Sequence, residues 1–557
     1  MIVVNRGNFL HTLSSLEDGI RVTFMVAAAL CVMTASLTSD AVAQSEYLPL
    51  DHDLNFRIGQ RINALSSKAH TSIQPYEVSR LGLSMSYDST LTYGRGYTYG
   101  ATSWLERKIF SEHLMEVRTD EYRLSFDFLP DVGLGYDLAN HRSTSLDNRG
   151  VEFAGSIGSD FSFRAQYFES VAKFPSFIDR YIKRTSIVPG QGYQKKYSST
   201  EYEYDYPVGT VSYSPSKYLN IYLGQDKNFI GDGYRSTLLS DVPFDYPFLK
   251  LTAYVWDLQY SIMWAEFQEP KAAVIASNEF WPKKYGVFHY LDWNVTHRLS
   301  LGFFEAVTWK AVDSTYGYRG FELSYLNPII FFRPVEYSMA SPDKMKIALT
   351  ARYKLSDNVT TYGQALIDEL VISEYFSNRG FWANKYALQL GVKGFDLLDT
   401  KNLSLLSEVN TASPYTYSHW DYMTNYGHYE QPLADPLGAN FYEWVTIANY
   451  RHERFEFRAQ LNVARYGADS GKVNYGEDIY KSYNTRYRNY GNYTTQGVKT
   501  DLYIADFRIA YVLNPLLNLR LELGVTYRDQ VSALNPYKST WVTLGLRSSF
   551  KNIYYDF

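Results

Sequence analysis

The chain holds a single cysteine, Cys31, and it sits where a mature protein would not keep it. From Val22 to Ser39 no residue is charged, and Ala41-Val42-Ala43 follows with the small residues that signal peptidase needs. Residues 1–43 therefore read as a secretory signal cleaved after Ala43. A membrane anchor is the other reading of this run, which is barely long enough to span. Leu30 stands before Cys31 where a lipidation site needs a small residue, so Cys31 is not read as a lipid-modified residue. The region before the run is long, with Glu17 and Asp18 close to Arg21, and a start codon inside that region is an expectation that the sequence leaves open. A mature chain without cysteine has no disulfides and no thiolate metal site.

Two further absences narrow the class. After residue 43 no apolar run approaches the roughly 20 residues of a membrane helix. A membrane-spanning mature chain must then be a closed sheet, because a bilayer leaves no backbone hydrogen bond unmet. Nor is there an excess of basic residues. The 54 Lys and Arg face 59 Asp and Glu, and no basic patch points to a nucleic-acid partner.

Tyrosine is abundant. The chain has 52 Tyr against 32 Phe and 10 Trp. Rings with one polar end suit membrane–water boundaries, where barrels carry aromatic girdles. The strand signal is a period of two. Phe455, Phe457, Ala459, Leu461 and Val463 alternate with Glu456, Arg458, Gln460 and Asn462. Leu519, Leu521, Leu523, Val525 and Tyr527 alternate with Arg520, Glu522, Gly524, Thr526 and Arg528. Ile347, Leu349, Ala351, Tyr353 and Leu355 alternate with Lys346, Arg352 and Lys354. An Arg at the lipid midplane of a barrel costs about 2–4 kcal/mol, so the apolar face is assigned to lipid and the charged face to the lumen. A β-sandwich would show the same alternation.

Connection lengths favour the barrel. Short turns are expected near 158–160, 214–217, 256–257, 296–298, 356–358, 395–402, 451–454 and 514–516. Long polar segments lie near 170–206, 227–247, 268–285, 310–344, 412–440 and 466–500. Short periplasmic turns facing long external loops are the outer-membrane pattern. The expected fold is all-β: a transmembrane antiparallel β-barrel of about 18 strands, with a range of 16 to 20, over residues 121–557. The count starts near Val132 and ends at Phe557, and 79–88 with 122–129 add an optional pair. Residues 44–120 are expected to form a short periplasmic or plug-like segment, with a short helix and the first strands as options. Ile553, Tyr555 and Phe557 share one face, and a terminal aromatic on an alternating last strand is read as the mark for barrel insertion machinery.

Candidate chemistry is sparse, and neither a catalytic group nor a cofactor nor a metal is expected. Asp51-His52-Asp53-Leu54-Asn55 starts like a calcium loop, but Phe56 stands where Gly is needed and Ile62 where a bidentate Glu is needed. It is read as a solvated N-terminal stretch. Gly94-Arg95-Gly96-Tyr97-Thr98-Tyr99-Gly100 has the wrong spacing for a dinucleotide loop and is read as an extended, turn-rich segment. His419 and His428 share a loop with Asp421 and Glu430 without metal-ligand spacing. No Gly-x-Ser-x-Gly elbow supports a hydrolase. Two loops remain as glycan-contact or structural candidates. One carries Tyr475, Tyr480, Tyr483, Arg486, Tyr487, Arg488, Tyr490 and Tyr493, where rings stack on sugars and Arg hydrogen-bonds hydroxyls and acidic groups. The other runs from Gly224 to Leu251 and includes Gly231, Asp232, Gly233, Tyr234, Arg235 and Asp241. Gly231 and Gly233 there permit positive-φ geometry, and Asp232 and Asp241 are the expected partners of Arg235.

This second loop resembles the Wzi family of outer-membrane capsule-assembly barrels, especially the Bacteroidetes branch that includes RemB-type gliding-motility proteins. The carrying residues are Gly231-Asp-Gly-Tyr-Arg-Ser, Leu238-Leu239-Ser240-Asp241 and Tyr246-Pro-Phe-Leu, with Leu326-Asn327-Pro328, Arg333-Pro334-Val335-Glu336 and Tyr554-Tyr555-Asp556-Phe557 in support. The likeness runs over residues 65–557. It implies an 18-stranded barrel with a lectin-like role in holding or organising exported surface polysaccharide, or a part in adhesion and gliding motility. The implied partners are outer-membrane lipid, surface polysaccharide, insertion machinery, and motility or secretion proteins of unknown identity. A diffusion porin or uptake channel is the alternative. A TonB-dependent transporter is disfavoured, since residues 44–120 are too few for its plug domain.

Overall fold

The computed structural model describes residues 45–95, 103–198, 200–270, 281–313, 317–328 and 343–557. The expected signal, residues 96–100 of the Gly94–Gly100 stretch, and Arg333–Glu336 lie outside them. Eighteen long strands form one closed antiparallel barrel: β1 (Tyr122–Asp137), β2 (Arg142–Ile157), β3 (Phe161–Lys173), β4 (Tyr202–Ser216), β5 (Leu219–Asp226), β6 (Tyr246–Val255), β7 (Leu258–Gln268), β8 (Lys283–Asn294), β9 (Leu299–Lys310), β10 (Lys344–Lys354), β11 (Val359–Glu369), β12 (Lys385–Phe395), β13 (Leu403–Ala412), β14 (Phe441–His452), β15 (Phe455–Ala468), β16 (Val498–Asn514), β17 (Leu519–Ser532) and β18 (Tyr537–Arg547). Trp541–Leu546 of β18 pair with Val132–Asp137 of β1, so the ladder closes on itself and leaves no open edge.

One end carries the tight connections 158–160, 217–218, 256–257, 295–298, 355–358, 453–454 and 515–518, with 396–402 slightly longer. The opposite end carries 174–201, 227–245, 269–282, 311–343, 370–384, 413–440 and 469–497, with tight turns only at 138–141 and 533–536.

The wall divides by charge as the period of two requires. On β17, Leu521 and Leu523 are 49% and 44% exposed on the outside, while Glu522 and Arg528 each keep 7%. On β10, Leu349 and Tyr353 face out, and Lys346 and Arg352 are buried inside. The lumen is thus lined with charge and then packed.

The packing begins with α1 (His52–Asn63). Asp51 caps it, accepting from the Leu54 amide at 2.7 Å. Leu54, Ile58 and Ile62 recur on one face and pack with Leu48, Tyr76, Val78, Leu81, Leu91 and Phe550. Asp51 is therefore a buried helix cap, not part of a solvated stretch. Gly59 lets α1 approach the wall, since a Cβ there would lie 2.3 Å from Phe395 Cε1. Farther on, Ile73–Gln74 pair antiparallel with Phe229–Ile230 of the 227–245 loop, and this brings the N-terminal segment and the loop together inside the barrel.

Three sequence expectations need correction. Residues 79–88 contain no strand; Val78–Leu81 form a 3-10 turn and a short helix starts at Tyr87. Residues 122–129 are the first half of β1 rather than an extra strand. Pro130 lies inside β1 although proline donates nothing to a ladder. On one side of β1, however, Arg123–Phe126 pair with Met115–Arg118 and Val132–Asp137 pair with β18, so Pro130 falls in the gap between those two partners. The last strand ends at Arg547, and Ser548–Phe557 turn inward, so the terminal aromatic is not on a strand.

Candidate functional site

The 227–245 loop is an internal element. Gly231, Gly233, Tyr234, Arg235 and Asp241 belong to a stretch that is buried almost throughout, with Arg235 and Asp241 each 1% exposed. Gly231 has φ +157°. Gly233 needs no positive φ; its hydrogen side chain makes room for Glu408, whose Oε2 would lie 2.3 Å from a Cβ. Glu408 in turn accepts from the Tyr234 and Arg235 amides at 3.0 and 2.8 Å and from the Tyr362 hydroxyl at 2.8 Å.

Arg235 does not pair with its sequence neighbours. Its Nη2 and Nε reach the two oxygens of Glu443 at 2.9 and 3.2 Å, and its Nη1 reaches Asp556 Oδ1 at 3.2 Å. Burial alone would raise the Asp556 carboxyl, but the Arg235 guanidinium outweighs it and holds the group below its ordinary value. Asp232 serves another junction. It accepts from Thr71 at 2.5 Å, Ser72 at 2.7 Å and Lys393 at 3.3 Å. Burial pushes its carboxyl up, yet Lys393 and Arg352 bring it to about 2. Asp241 accepts from Asn552 at 2.7 Å and Tyr554 at 2.6 Å, and Tyr554 also meets His52 Nε2 at 2.6 Å. Burial pushes the His52 imidazole down to about 4, which keeps it neutral at physiological pH. Loop, tail, α1 and wall are thus joined at more than one junction by buried charges, Arg235 on Glu443 and Asp556, Asp232 on Lys393, and Asp241 on Asn552 and Tyr554.

A polar cavity of about 160 Å3 remains beside α1 and the tail, against β15–β18. Its charges are largely matched: Arg508 pairs with Asp506 at 2.8 Å and Glu522 at 2.9 Å, Arg520 with Glu522 at 2.9 Å, and Arg458 with Asp53 at 2.9 Å.

At the long-loop end the Tyr-rich segment behaves differently. Tyr487, Tyr490 and Tyr493 are 53%, 42% and 61% exposed. Tyr483, Arg486 and Tyr490 are brought together by residues that sequence reading passed over, Phe381 and Trp382 of the 370–384 loop. Trp382 lies 4.8 Å from Tyr483, ring centroid to ring centroid, with the Arg486 guanidinium 4.3 Å from its centroid. Phe381 lies 5.3 Å from Tyr490. The signal for them was present: two large aromatics between Gly380 and Ala383 in a segment with no strand period. His419 and His428 are separate interior residues, with His428 accepting from the Gln268 amide at 3.0 Å. No group of three or more metal-ligating side chains gathers among the described residues.

No known family profile and no curated protein matches the chain. Among solved structures it is similar to Wzi of Escherichia coli, a carbohydrate-binding β-barrel of the outer membrane involved in group 1 capsule assembly. The TM-score is 0.54 at 13% identity, over 91% of this chain and all of that one. OprD of Pseudomonas aeruginosa (TM-score 0.40, 9% identity, 76% of this chain and 94% of that one) and OccAB2 of Acinetobacter baumannii (0.41, 9%, 77% and 98%) are more distant barrels. At these identities the likeness to Wzi shows the fold alone, and the two lower scores say nothing of what this chain does. The fold is that of an outer-membrane barrel.

Proposed function

We propose that this chain is exported by its first 43 residues, sits in the outer membrane, and holds or organises surface polysaccharide at its long-loop end without conducting solute. The observation that carries this reading is the contrast between the two parts of the interior. The lumen is occupied by α1, the 227–245 loop and the tail, locked through Arg235. Above it, exposed Tyr side chains form a surface on which sugar rings can stack. The carbohydrate-binding role described for Wzi supports the same direction, and so does the resemblance of the Gly231–Asp241 stretch.

Two measurements test it together. In planar bilayers the purified barrel conducts little, and on a column it retains labelled polysaccharide from its own cell surface. Large steady conductance with no retention would establish a diffusion porin, the reading that the charge-lined cavity beside β15–β18 favours. Loss of capsule in a deletion strain identifies an assembly role, and loss of spreading with capsule intact identifies the gliding or adhesion role.

A further inference from the structure

The 370–384 and 469–497 loops close on each other at the outer end of the barrel. The Gly491 amide donates to Arg379 O at 2.8 Å, the Asn492 amide to Gly380 O at 3.0 Å, and the Trp382 amide to Asn489 O at 3.0 Å. This backbone zipper fixes Phe381, Trp382, Tyr483 and Tyr490 as one aromatic group. Tyr487 is held against Tyr475 at 5.0 Å and keeps half its surface free.

The cations around this group fall into two kinds. Arg379 is neutralised by Glu374 at 3.0 and 2.9 Å, Lys385 by Glu369 at 2.8 Å and Lys481 by Asp469 at 2.7 Å. Arg486 and Arg488 are not neutralised. Arg486 donates to Asn489 Oδ1 at 2.7 Å and Tyr483 O at 3.2 Å and lies over Trp382. Arg488 donates to Gly491 O and lies 5.3 Å from the Tyr487 ring centroid. Among the described residues no carboxylate pairs with either. Both guanidinium groups are oriented by neutral oxygens and by aromatic faces, which positions the fork without satisfying its charge.

We propose that this face is a binding site for an acidic saccharide, in which Arg486 and Arg488 take the carboxylate of a uronic-acid residue and an exposed Tyr487 or Tyr490 takes a sugar ring. The inference deepens the polysaccharide reading and rests on it. A planar guanidinium meets a carboxylate through two parallel N–H bonds, and two arginines without a carboxylate partner beside stacking rings favour an acidic sugar over a neutral one. Because the arginines are exposed or half-buried, the charge part of the affinity is screened by salt and the stacking part is not.

The experiment uses full-length barrel in detergent. It compares oligogalacturonate with a neutral glucan of equal length, by calorimetry at about 0.05 M and 0.5 M salt, a range over which the screening length falls severalfold. The expected result is uronate binding about tenfold tighter or more at low salt, with most of that advantage gone at high salt. Arg488→Gln together with Arg486→Gln removes the preference and leaves neutral-glucan binding in place. Tyr487→Ala with Tyr490→Ala weakens both ligands. Arg488→Gln alone, on an exposed side chain, shows a partial loss and guards against misfolding of the double variant. Equal affinity for the two glycans, or a preference that survives both Gln substitutions, overturns the acidic-sugar assignment while leaving the polysaccharide reading standing. Binding of neither glycan overturns the acidic-sugar assignment, and the column test with the cell's own polysaccharide decides separately whether the polysaccharide reading falls with it. Binding only to phosphate-bearing lipid vesicles replaces the exported glycan with a headgroup and also overturns it.

Discussion

Replacing Arg235 by methionine separates the lock inside the barrel from the barrel itself. Arg235 is 1% exposed and bonds to Glu443 and Asp556, with Asp435 at 3.9 Å. Methionine fills a similar volume but leaves those carboxylates buried without their cation. Breaking a buried pair on one side costs about 3–5 kcal/mol, roughly a hundredfold to a few thousandfold in the open population of the docked elements. The strand ladder contains none of these bonds, so the variant inserts and keeps its heat-modifiable gel mobility. Hydrogen exchange read by mass spectrometry then rises in 229–241 and 548–557 while β14 and β15 stay protected, and bilayer recordings show a larger conductance than the parent's. Arg235→Lys, which keeps the charge and loses the fork, falls between. If exchange in 548–557 is unchanged in the methionine variant, the tail is not held through Arg235 and the reasoning fails.

Other outcomes follow from the same geometry. Leu521→Arg puts a guanidinium into lipid at a cost of about 2–4 kcal/mol and lowers the folded fraction on a heat-modifiability gel, whereas Arg520→Leu, which faces the lumen, still inserts. Equal behaviour of the two would reverse the face assignment. Gly233→Ala drives a methyl toward Glu408 Oε2 and costs about 1–3 kcal/mol of loop docking, seen as faster exchange at the Tyr234 and Arg235 amides. Asp232, lowered to about 2 in the docked loop, stabilises docking fully above its ordinary value of 3.8 and loses that contribution as pH falls from there through 2. Hydrogen exchange within 229–241 in vesicle-bound protein, corrected for the intrinsic pH dependence of amide exchange, should therefore show weaker protection near pH 2 than at pH 5, and Asp232→Asn should reduce the contrast.

The barrel was legible because its cause is local. A strand with one face in hydrocarbon and one in a charged interior must alternate, and the short turns near 158–160, 256–257 and 453–454 mark where each pair reverses. Phe381 and Trp382 were present in the sequence but carried no period, and nothing in the 370–384 loop says that it meets residues near 490. The partners of Arg235 were expected at Asp232 and Asp241, close in sequence; they stand 208 positions away at Glu443 and 321 away at Asp556. The alternation of Ile553, Tyr555 and Phe557 imitates a strand, but the ladder is already closed at Arg547, because β1 offers its partners only as far as Val132.

The sequence by itself therefore narrowed the strand number to about 18 within 16 to 20 and set the two faces of the wall and the unequal ends, since each follows from the spacing of apolar and charged side chains within a few residues. Only the tertiary structure decided what fills the lumen, which carboxylates hold Arg235, and which rings and arginines share the outer face. Those depend on residues far apart in the chain meeting inside an enclosed space, where a buried charge must find an opposite charge or hydrogen-bond donors from wherever the fold supplies them.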